Sequence, residues 1–182
     1  MNVAFFGGSF DPPHIGHEAI VKSILQNLEI AKLFVMPTYL NPFKSKSHFD
    51  AKTRLNFTKE LFEEFKKVIV CDFEAKSGKS IATIESILYL RQKYKIDKIY
   101  LVIGADNFSE IETWDHFILL NSLVDFVVVT RKGHKIKQCK VKIFKIIELN
   151  FNISSTKLRD NQNLEYIPTK IRKKVEKLWK KE

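Results

Sequence analysis

Short apolar runs alternate with longer amphipathic segments along most of the chain. The apolar runs, which are typical of buried strands, occupy residues 3–6, 32–36, 68–71, 98–103, 124–130 and 142–149. Apolar residues at helical spacing predict helices over residues 15–28, after a capping Asp50, over 80–94, over 113–120, from Ser154, and after Pro168. The pattern therefore predicts strands and helices in alternation.

This alternation predicts a parallel sheet with helices on both faces, which is a doubly wound, Rossmann-like α/β fold. The chain has 182 residues and shows neither internal repeats nor a linker, so we expect one domain over residues 1–182. Ligands of such sheets bind beyond the carboxyl ends of the strands. Candidate functional residues are therefore sought immediately after the predicted strands.

The charge and the cysteines narrow the class of protein. The net charge is +10, with lysines concentrated in residues 132–145 and 170–181, and a solvated basic surface explains this better than a nucleic-acid or membrane partner. The two cysteines, Cys71 and Cys139, form no C-x-x-C pair, which fits a reducing cytoplasm. The first apolar run breaks at Gly7, so it is too short for a signal peptide or membrane span.

The stretch GGSFDPPHIGH follows the first predicted strand. Gly7 and Gly8 allow a sharp turn and close approach of the main chain to a ligand. His14 and His17 share one face of the first turn of the next helix, where Gly16 leaves room between them. Two imidazoles at a helix N-terminus can stabilise charge on a transferred phosphoryl group. The simpler alternatives are an ordinary strand–helix turn and a metal-binding histidine pair with no evident third ligand.

A second candidate anion site is ISSTKLR, at residues 153–159. Ser154, Ser155 and Thr156 supply hydroxyl and N–H groups at a predicted helix start, which is a favourable seat for an anion. Arg159 follows, and a guanidinium can bind two phosphate oxygens at once. Taken alone, this stretch is equally typical of a capping serine followed by solvated basic residues.

The two stretches together resemble the paired signatures of the nucleotidylyltransferase superfamily that carries the H-x-G-H motif. Three more segments resemble the bacterial nicotinate-nucleotide adenylyltransferases, so that the resemblance extends over nearly the whole chain. These segments are GADNFSEIETW at 104–114, SIATIES at 80–86 and MPTYLNPFK at 36–44. In the third segment Pro37, Pro42 and Lys44 match the family, whereas Tyr39 and Phe43 depart from its Asn and His.

The resemblance implies adenylyl transfer from ATP to nicotinate mononucleotide, giving nicotinate adenine dinucleotide and pyrophosphate in NAD biosynthesis, with Mg²⁺ accompanying ATP. It implies catalytic roles for His14, His17, Lys44 and Arg159. It implies ATP contacts from Gly7, Gly8, Ser9, Phe10, His14, Gly16, His17, Gly104, Asp106, Ile153, Ser154, Ser155 and Arg159. It implies contacts to the nicotinate nucleotide from Ser9, Lys44, Thr83, Asp106 and Trp114.

Several alternatives stay open at this stage. Relatives that use phosphopantetheine or nicotinamide mononucleotide as acceptor share the end motifs, and a basic nucleic-acid or membrane-surface protein is a different class. The free N–H groups of a helix that starts near Thr83 suit a carboxylate better than an amide. We expect no nucleic-acid or membrane partner, and a homo-oligomer is an open alternative.

Asp11, Arg54 and Trp114 receive more specific predictions. Asp11 is expected to fix its loop by accepting hydrogen bonds from nearby N–H groups. Arg54 resembles an arginine that follows the 36–44 loop in the family, with a helix-surface charge as the alternative. Trp114 is expected to stack on the pyridine ring, with core packing as the alternative.

Overall fold

Six parallel strands form one sheet in the computed structural model, which describes residues 1–41, 46–131, 136, 141, 143–149 and 155–180. The strands are β1 (Asn2–Gly8), β2 (Lys32–Pro37), β3 (Val68–Val70), β4 (Lys98–Gly104), β5 (Asp125–Arg131) and β6 (Ile143–Leu149). Their order in the sheet is β3-β2-β1-β4-β5-β6, and every pair is parallel. The predicted doubly wound α/β fold is confirmed.

Seven α-helices connect and cover the strands of the described chain. They are α1 (Ile15–Asn27), α2 (Ala51–Phe62), α3 (Thr83–Lys93), α4 (Ala105–Phe108), α5 (Phe117–Leu123), α6 (Ser155–Asp160) and α7 (Thr169–Trp179), with short 3₁₀ helices at Ile111–Thr113 and Leu164–Tyr166. Asp50 caps α2 as predicted, because its Oδ1 accepts a hydrogen bond from Thr53 N at 2.8 Å.

The helix predicted over residues 113–120 is wrong. A 3₁₀ helix ends at Thr113, Trp114 has an extended backbone, and His116 has a left-handed φ of 55° before α5 begins at Phe117. Two separate short helices therefore replace the predicted one, since a left-handed residue cannot continue a right-handed helix.

The strands send alternate side chains to the two faces of the sheet. On one face Phe5 and Leu101 pack with Ile87 of α3 in one buried cluster. On the other face Phe6 and Val102 belong to a second cluster, which includes residues of α1 and α2. The central strands are thus covered on both sides, which explains why β1, β2, β4 and β5 contain continuous hydrophobic runs in the sequence.

Helix α7 packs against α2 and extends the core of the protein. Its residues Ile171, Val175 and Trp179 are buried in a third cluster with Phe57 of α2. The apolar stripe of the basic tail is therefore covered by protein, which confirms the predicted packing and removes that stripe as a lipid-binding face. Within the described ranges, no helix is long and apolar enough to cross a bilayer.

Part of the basic tail is also paired with acidic residues. Lys170 Nζ lies 2.7 Å from the Glu63 carboxylate, and Lys174 Nζ lies 2.6 Å from the Glu60 carboxylate. These pairs connect α7 to α2 and the turn that follows it. The lysines at this end thus form cross-helix ion pairs as well as a solvated surface, in line with the structural interpretation of the net charge.

The sheet order fixes where a ligand can bind. The chain runs from β1 outward through β2 and β3, and then returns to place β4 on the other side of β1. The connections after β1 and β4 therefore separate to opposite sides, which opens a crevice at the carboxyl ends of these two strands. Gly8 and Gly104 stand at those ends.

Candidate active site

Strand β1 ends in two glycines that no larger residue could replace without a shift of a neighbouring ring. A Cβ at Gly7 would lie 3.2 Å from the Phe5 ring, and one at Gly8 would lie 3.3 Å from the Phe10 ring. The Gly8 carbonyl also accepts a hydrogen bond from Thr38 N at 2.9 Å, which joins the end of β1 to the end of β2. The glycines thus keep the main chain closely packed at the crevice.

Phe10 turns the loop after β1 with an unusual backbone conformation. Its φ is 47°, in the left-handed region that a bulky residue rarely adopts. Its side chain is buried, with ring centroids 5.4 Å from Phe6 and 4.7 Å from His17. Such a conformation costs about 1–3 kcal/mol and persists only where surrounding contacts enforce it.

His14 and His17 form one stacked pair at the start of α1. Their ring centroids are 3.7 Å apart with an interplanar angle of 28°. His14 N donates a hydrogen bond to His17 Nδ1 at 3.1 Å, so neutral His17 carries its proton on Nε2. The predicted shared face is confirmed, and Gly16 lies buried between the two histidines.

The surroundings of this pair favour neutral imidazoles. Burial lowers the pKa of His14 to about 4. Burial, and then the neighbouring His14, lower the pKa of His17 well below its ordinary value. The His14 Nδ1 atom is buried without a hydrogen-bond partner among the residues that the structure describes. An anion placed here would favour the protonated forms and supply a partner.

Asp11 anchors the same loop to the segment that precedes α2. Its carboxylate accepts hydrogen bonds from His48 N at 2.8 Å and Phe49 N at 2.9 Å, and the side chain is buried. The predicted structural role of Asp11 is confirmed. Its oxygens are engaged with main-chain amides, as expected of a loop-fixing carboxylate.

Arg159 brings the C-terminal motif against the first loop. Its Nη1 donates a hydrogen bond to the Asp11 carbonyl at 2.6 Å and lies 3.8 Å from the Asp11 carboxylate. These residues are 148 positions apart in the chain. Helix α6, which carries Arg159, therefore lies beside the H-x-G-H loop.

Arg54 is a residue whose contacts the sequence did not reveal, although its resemblance to a family arginine singled it out. It is fully buried, so the alternative of a helix-surface charge is wrong. Its Nε donates to Phe49 O at 2.9 Å, its Nη1 to Ser9 O at 2.6 Å and Thr38 O at 2.8 Å, and its Nη2 to Tyr39 O at 2.6 Å. The only sequence signal was its position after the 36–44 loop.

The residues predicted for the pyridine nucleotide stand around the same edge of the sheet. Gly104 caps α4 and Asp106 is exposed in the first turn of that helix. Thr83 is the first residue of α3. Trp114 is half-buried and packs against the core cluster beneath α3 and α5, so its alternative packing role has support while ring stacking stays a prediction.

Some predicted site residues lie outside the described part of the chain. These are Lys44, Ile153 and Ser154, together with Phe43 of the altered loop. Ser155 is the first residue of α6, and only its backbone is described. The roles predicted for these residues therefore stay predictions.

Comparison with known proteins identifies the family to which the chain belongs. A family model described as cytidylyltransferase-like matches residues 5–161, a range that includes His14, His17 and Arg159. A "Probable nicotinate-nucleotide adenylyltransferase" of Sulfurovum sp. is 44% identical over 98% of this chain and 94% of its own length. A relative of the same name from Nitratiruptor sp. is 40% identical over 99% of both chains.

A solved structure shares the fold at much lower identity. It is the Plasmodium falciparum nicotinic acid mononucleotide adenylyltransferase complexed with NaAD, which aligns with a TM-score of 0.79 and 21% identity. The alignment covers 97% of this chain and 95% of that one. The chain therefore belongs to the cytidylyltransferase-like family and, within it, to the nicotinate-nucleotide adenylyltransferases.

Proposed function

We propose that the protein transfers the adenylyl group of ATP to the phosphate of nicotinate mononucleotide. The products are nicotinate adenine dinucleotide and pyrophosphate. The observation that carries this proposal is the contact of Arg159 with the Asp11 carbonyl, which brings the C-terminal motif to the loop of the histidine pair. Membership of the nicotinate-nucleotide adenylyltransferases supports the choice of substrates.

The reaction needs no nucleophile from the protein. A phosphate oxygen of nicotinate mononucleotide attacks the α-phosphorus of ATP, and the bond from that phosphorus to the oxygen bridging to the β-phosphorus breaks. Pyrophosphate leaves with the electron pair, and no proton has to be removed from the attacking anion. Catalysis then consists of positioning the two phosphates and stabilising the charge that moves to the leaving group.

The histidine pair is suited to that second task. His14 and His17 are neutral at neutral pH before a ligand binds, because burial lowers both pKa values. Charge that accumulates on the leaving pyrophosphate would be met by imidazole N–H groups in a site with little water, where each hydrogen bond is strong. Arg159 adds a positive charge beside Asp11 of the same loop.

The Mg²⁺ that is expected to accompany ATP could be bound by oxygens of the protein or by oxygens of the nucleotide. Among them, no three His, Cys, Asp or Glu side chains are grouped so as to hold a metal, and the Asp11 carboxylate is occupied by His48 N and Phe49 N. We therefore propose that Mg²⁺ is held by oxygens of the ATP phosphates, where it would neutralise part of their charge.

The pyridine end of the acceptor is assigned to the start of α3 and to Trp114. The N–H groups of Thr83 and Ile84 begin α3 at its positive dipole end, whereas Glu85 N donates to Ala82 O at 2.9 Å and Ala82 N donates to the Glu85 carboxylate at 3.1 Å. Ser80 Oγ donates a hydrogen bond to Leu40 O at 3.0 Å, which connects the approach to α3 with the loop after β2. This arrangement favours a carboxylate, and hence the nicotinate over the nicotinamide nucleotide.

A coupled assay of pyrophosphate release from ATP tests the proposal. Nicotinate mononucleotide, nicotinamide mononucleotide and phosphopantetheine are compared as acceptors, and the first is expected to give the highest kcat/KM. Preferential use of phosphopantetheine would reassign the acceptor. Absence of pyrophosphate release with all three, together with salt-sensitive binding to DNA or anionic vesicles, would place the protein in the different class of basic binding proteins.

A further inference from the structure

A buried cation that the reaction above does not use lies beside the phosphate-binding loop. Arg54 is among the largest fully buried side chains of the described chain. Burial lowers the pKa of its guanidinium, and Asp11 and Asp50 partly offset this, but an arginine remains charged at any physiological pH. A buried charge is costly, so the contacts that retain it deserve an explanation.

The Arg54 guanidinium donates four hydrogen bonds to main-chain carbonyls, and all four acceptors lie in irregular segments. The acceptors are Ser9 O in the loop after β1, Thr38 O and Tyr39 O in the loop after β2, and Phe49 O in the segment before α2. Buried loop carbonyls require partners that secondary structure does not supply. One guanidinium thus joins the loop after β1 to both ends of the connection between β2 and α2.

The bond to Ser9 O has a particular consequence for the peptide that follows. The Ser9–Phe10 peptide is trans, so its N–H points away from its carbonyl and therefore away from Arg54. A cation on the carbonyl oxygen also polarises the peptide and strengthens the N–H as a donor. Phe10 itself has a left-handed φ of 47°, a conformation that persists only where surrounding contacts enforce it.

We propose that Arg54 is a positioning residue for adenylyl transfer, because it holds the Ser9–Phe10 peptide with its N–H directed to the ATP phosphates and fixes the loop after β2 beside it. This inference rests on the proposed function for the identity of the anion. It assigns to Arg54 an effect on catalysis through other groups, since the side chain itself is buried behind the loop.

The chemistry of arginine explains why lysine should not replace it. The guanidinium offers five N–H groups in a rigid planar fork, whereas a lysine offers three donors on a flexible chain. Arg54→Lys keeps the charge but cannot satisfy four carbonyls that are spread around a plane. Arg54→Met removes both the charge and the hydrogen bonds while retaining much of the apolar volume.

The matched control is Arg91→Met. Arg91 lies in the last turn of α3, and its Nη2 donates to Leu123 O at 3.0 Å. Leu123 precedes β5, so this contact lies at the amino ends of the strands, on the opposite edge of the sheet from the crevice. The control variant therefore loses a comparable guanidinium–carbonyl bond at a place where no substrate is expected.

Each variant is assayed for pyrophosphate release at varied ATP and at varied nicotinate mononucleotide, with a thermal unfolding curve for each protein. Arg54→Lys is expected to lower kcat/KM for ATP about 10²-fold, the loss typical of a displacement of about 1 Å in a catalytic group. Arg91→Met is expected to leave both kinetic parameters within about twofold, since its surroundings are remote. If folded Arg54→Lys has the same kcat and KM values as the wild type, the inference is overturned.

A binding measurement keeps this test independent of the proposed reaction. Calorimetric titration with a non-hydrolysable ATP analogue and with pyrophosphate is expected to show at least about tenfold weaker binding in Arg54→Lys. Weaker binding in a protein that forms no dinucleotide would sustain the positioning role and refute the reaction. Unchanged binding and turnover in an active protein would refute the positioning role alone. If Arg54→Met does not fold, Arg54→Lys decides the question.

Discussion

At the scale of single residues, the site depends on groups whose ordinary properties are altered by burial. His14 and His17 stack on each other, and burial favours their neutral forms. Both lie at the positive end of α1, where the helix dipole would stabilise a bound anion. A neutral pair avoids mutual repulsion in the unliganded protein. The same pair becomes easier to protonate once a triphosphate supplies negative charge.

His17→Ala is expected to lower kcat by a factor on the order of 10², the loss typical of removing one electrostatic stabiliser of a transition state. Steady-state pyrophosphate release measures this effect. His116→Asn is the control, because His116 is exposed and its left-handed backbone is one that asparagine tolerates. Near-normal kcat in purified His17→Ala would remove His17 from the proposed mechanism.

The contrast between the histidine pair and Arg54 shows what the sequence could predict at this scale. His14 and His17 lie three positions apart after a predicted strand, so their shared face followed from helix geometry alone. Arg54 binds four carbonyls, and one of them belongs to a residue 45 positions away. Main-chain carbonyls have no sequence signature, so the sequence could match Arg54 to a family arginine but could not exclude a helix-surface charge.

At the scale of elements, apolar runs predicted all six strands within a few residues of their observed bounds, including the edge strand β6, whose Phe144 and Ile146 are exposed. Strands buried on both faces have a strong hydrophobic signal that tertiary contacts reinforce. The helix predicted between β4 and β5 was wrong, because His116 interrupts it with a left-handed φ of 55°. Apolar spacing cannot anticipate such an interruption.

Helix α7 is an element with a structural link to the site. Trp179 Nε1 donates a hydrogen bond to His48 Nε2 at 3.0 Å, and the Trp179 ring stacks on Phe49 with centroids 6.5 Å apart. His48 and Phe49 are the residues whose amides hold Asp11. The last helix thus braces the segment that fixes the H-x-G-H loop.

Trp179→Phe is expected to lower the free energy of unfolding by about 1 kcal/mol through the lost hydrogen bond to His48. Trp179→Ala is expected to cost about 3–5 kcal/mol, because it also opens a cavity between α7 and α2. Urea denaturation followed by circular dichroism measures both values. Lys177→Ala, at an exposed position of the same helix, serves as control with a change within about 0.5 kcal/mol. Equal stability of all three variants would show that α7 does not brace the core.

At the scale of the whole molecule, burial of ionisable groups makes stability depend on pH in two opposing ways. His14 is buried with its pKa lowered to about 4, from an ordinary 6.5. Glu74 is buried with its pKa raised to about 7, from 4.5, and accepts a hydrogen bond from Ser86 Oγ at 2.6 Å. The overall pH profile mixes both groups, so variants are needed to separate them.

As the pH falls from 6.5 to about 4, the unfolded chain binds a proton at His14 while the native protein does not, so the contribution of His14 to stability is lost over this window. The difference in unfolding free energy between the wild type and His14→Gln should therefore shrink by about 3 kcal/mol.

For Glu74 the native protein binds the proton first as the pH falls from about 7 to 4.5. The difference between the wild type and Glu74→Gln should accordingly grow in favour of the wild type over that window. Urea denaturation series at half-unit pH intervals measure both differences, and parallel profiles for the wild type and His14→Gln would show that His14 is not held neutral in the native protein.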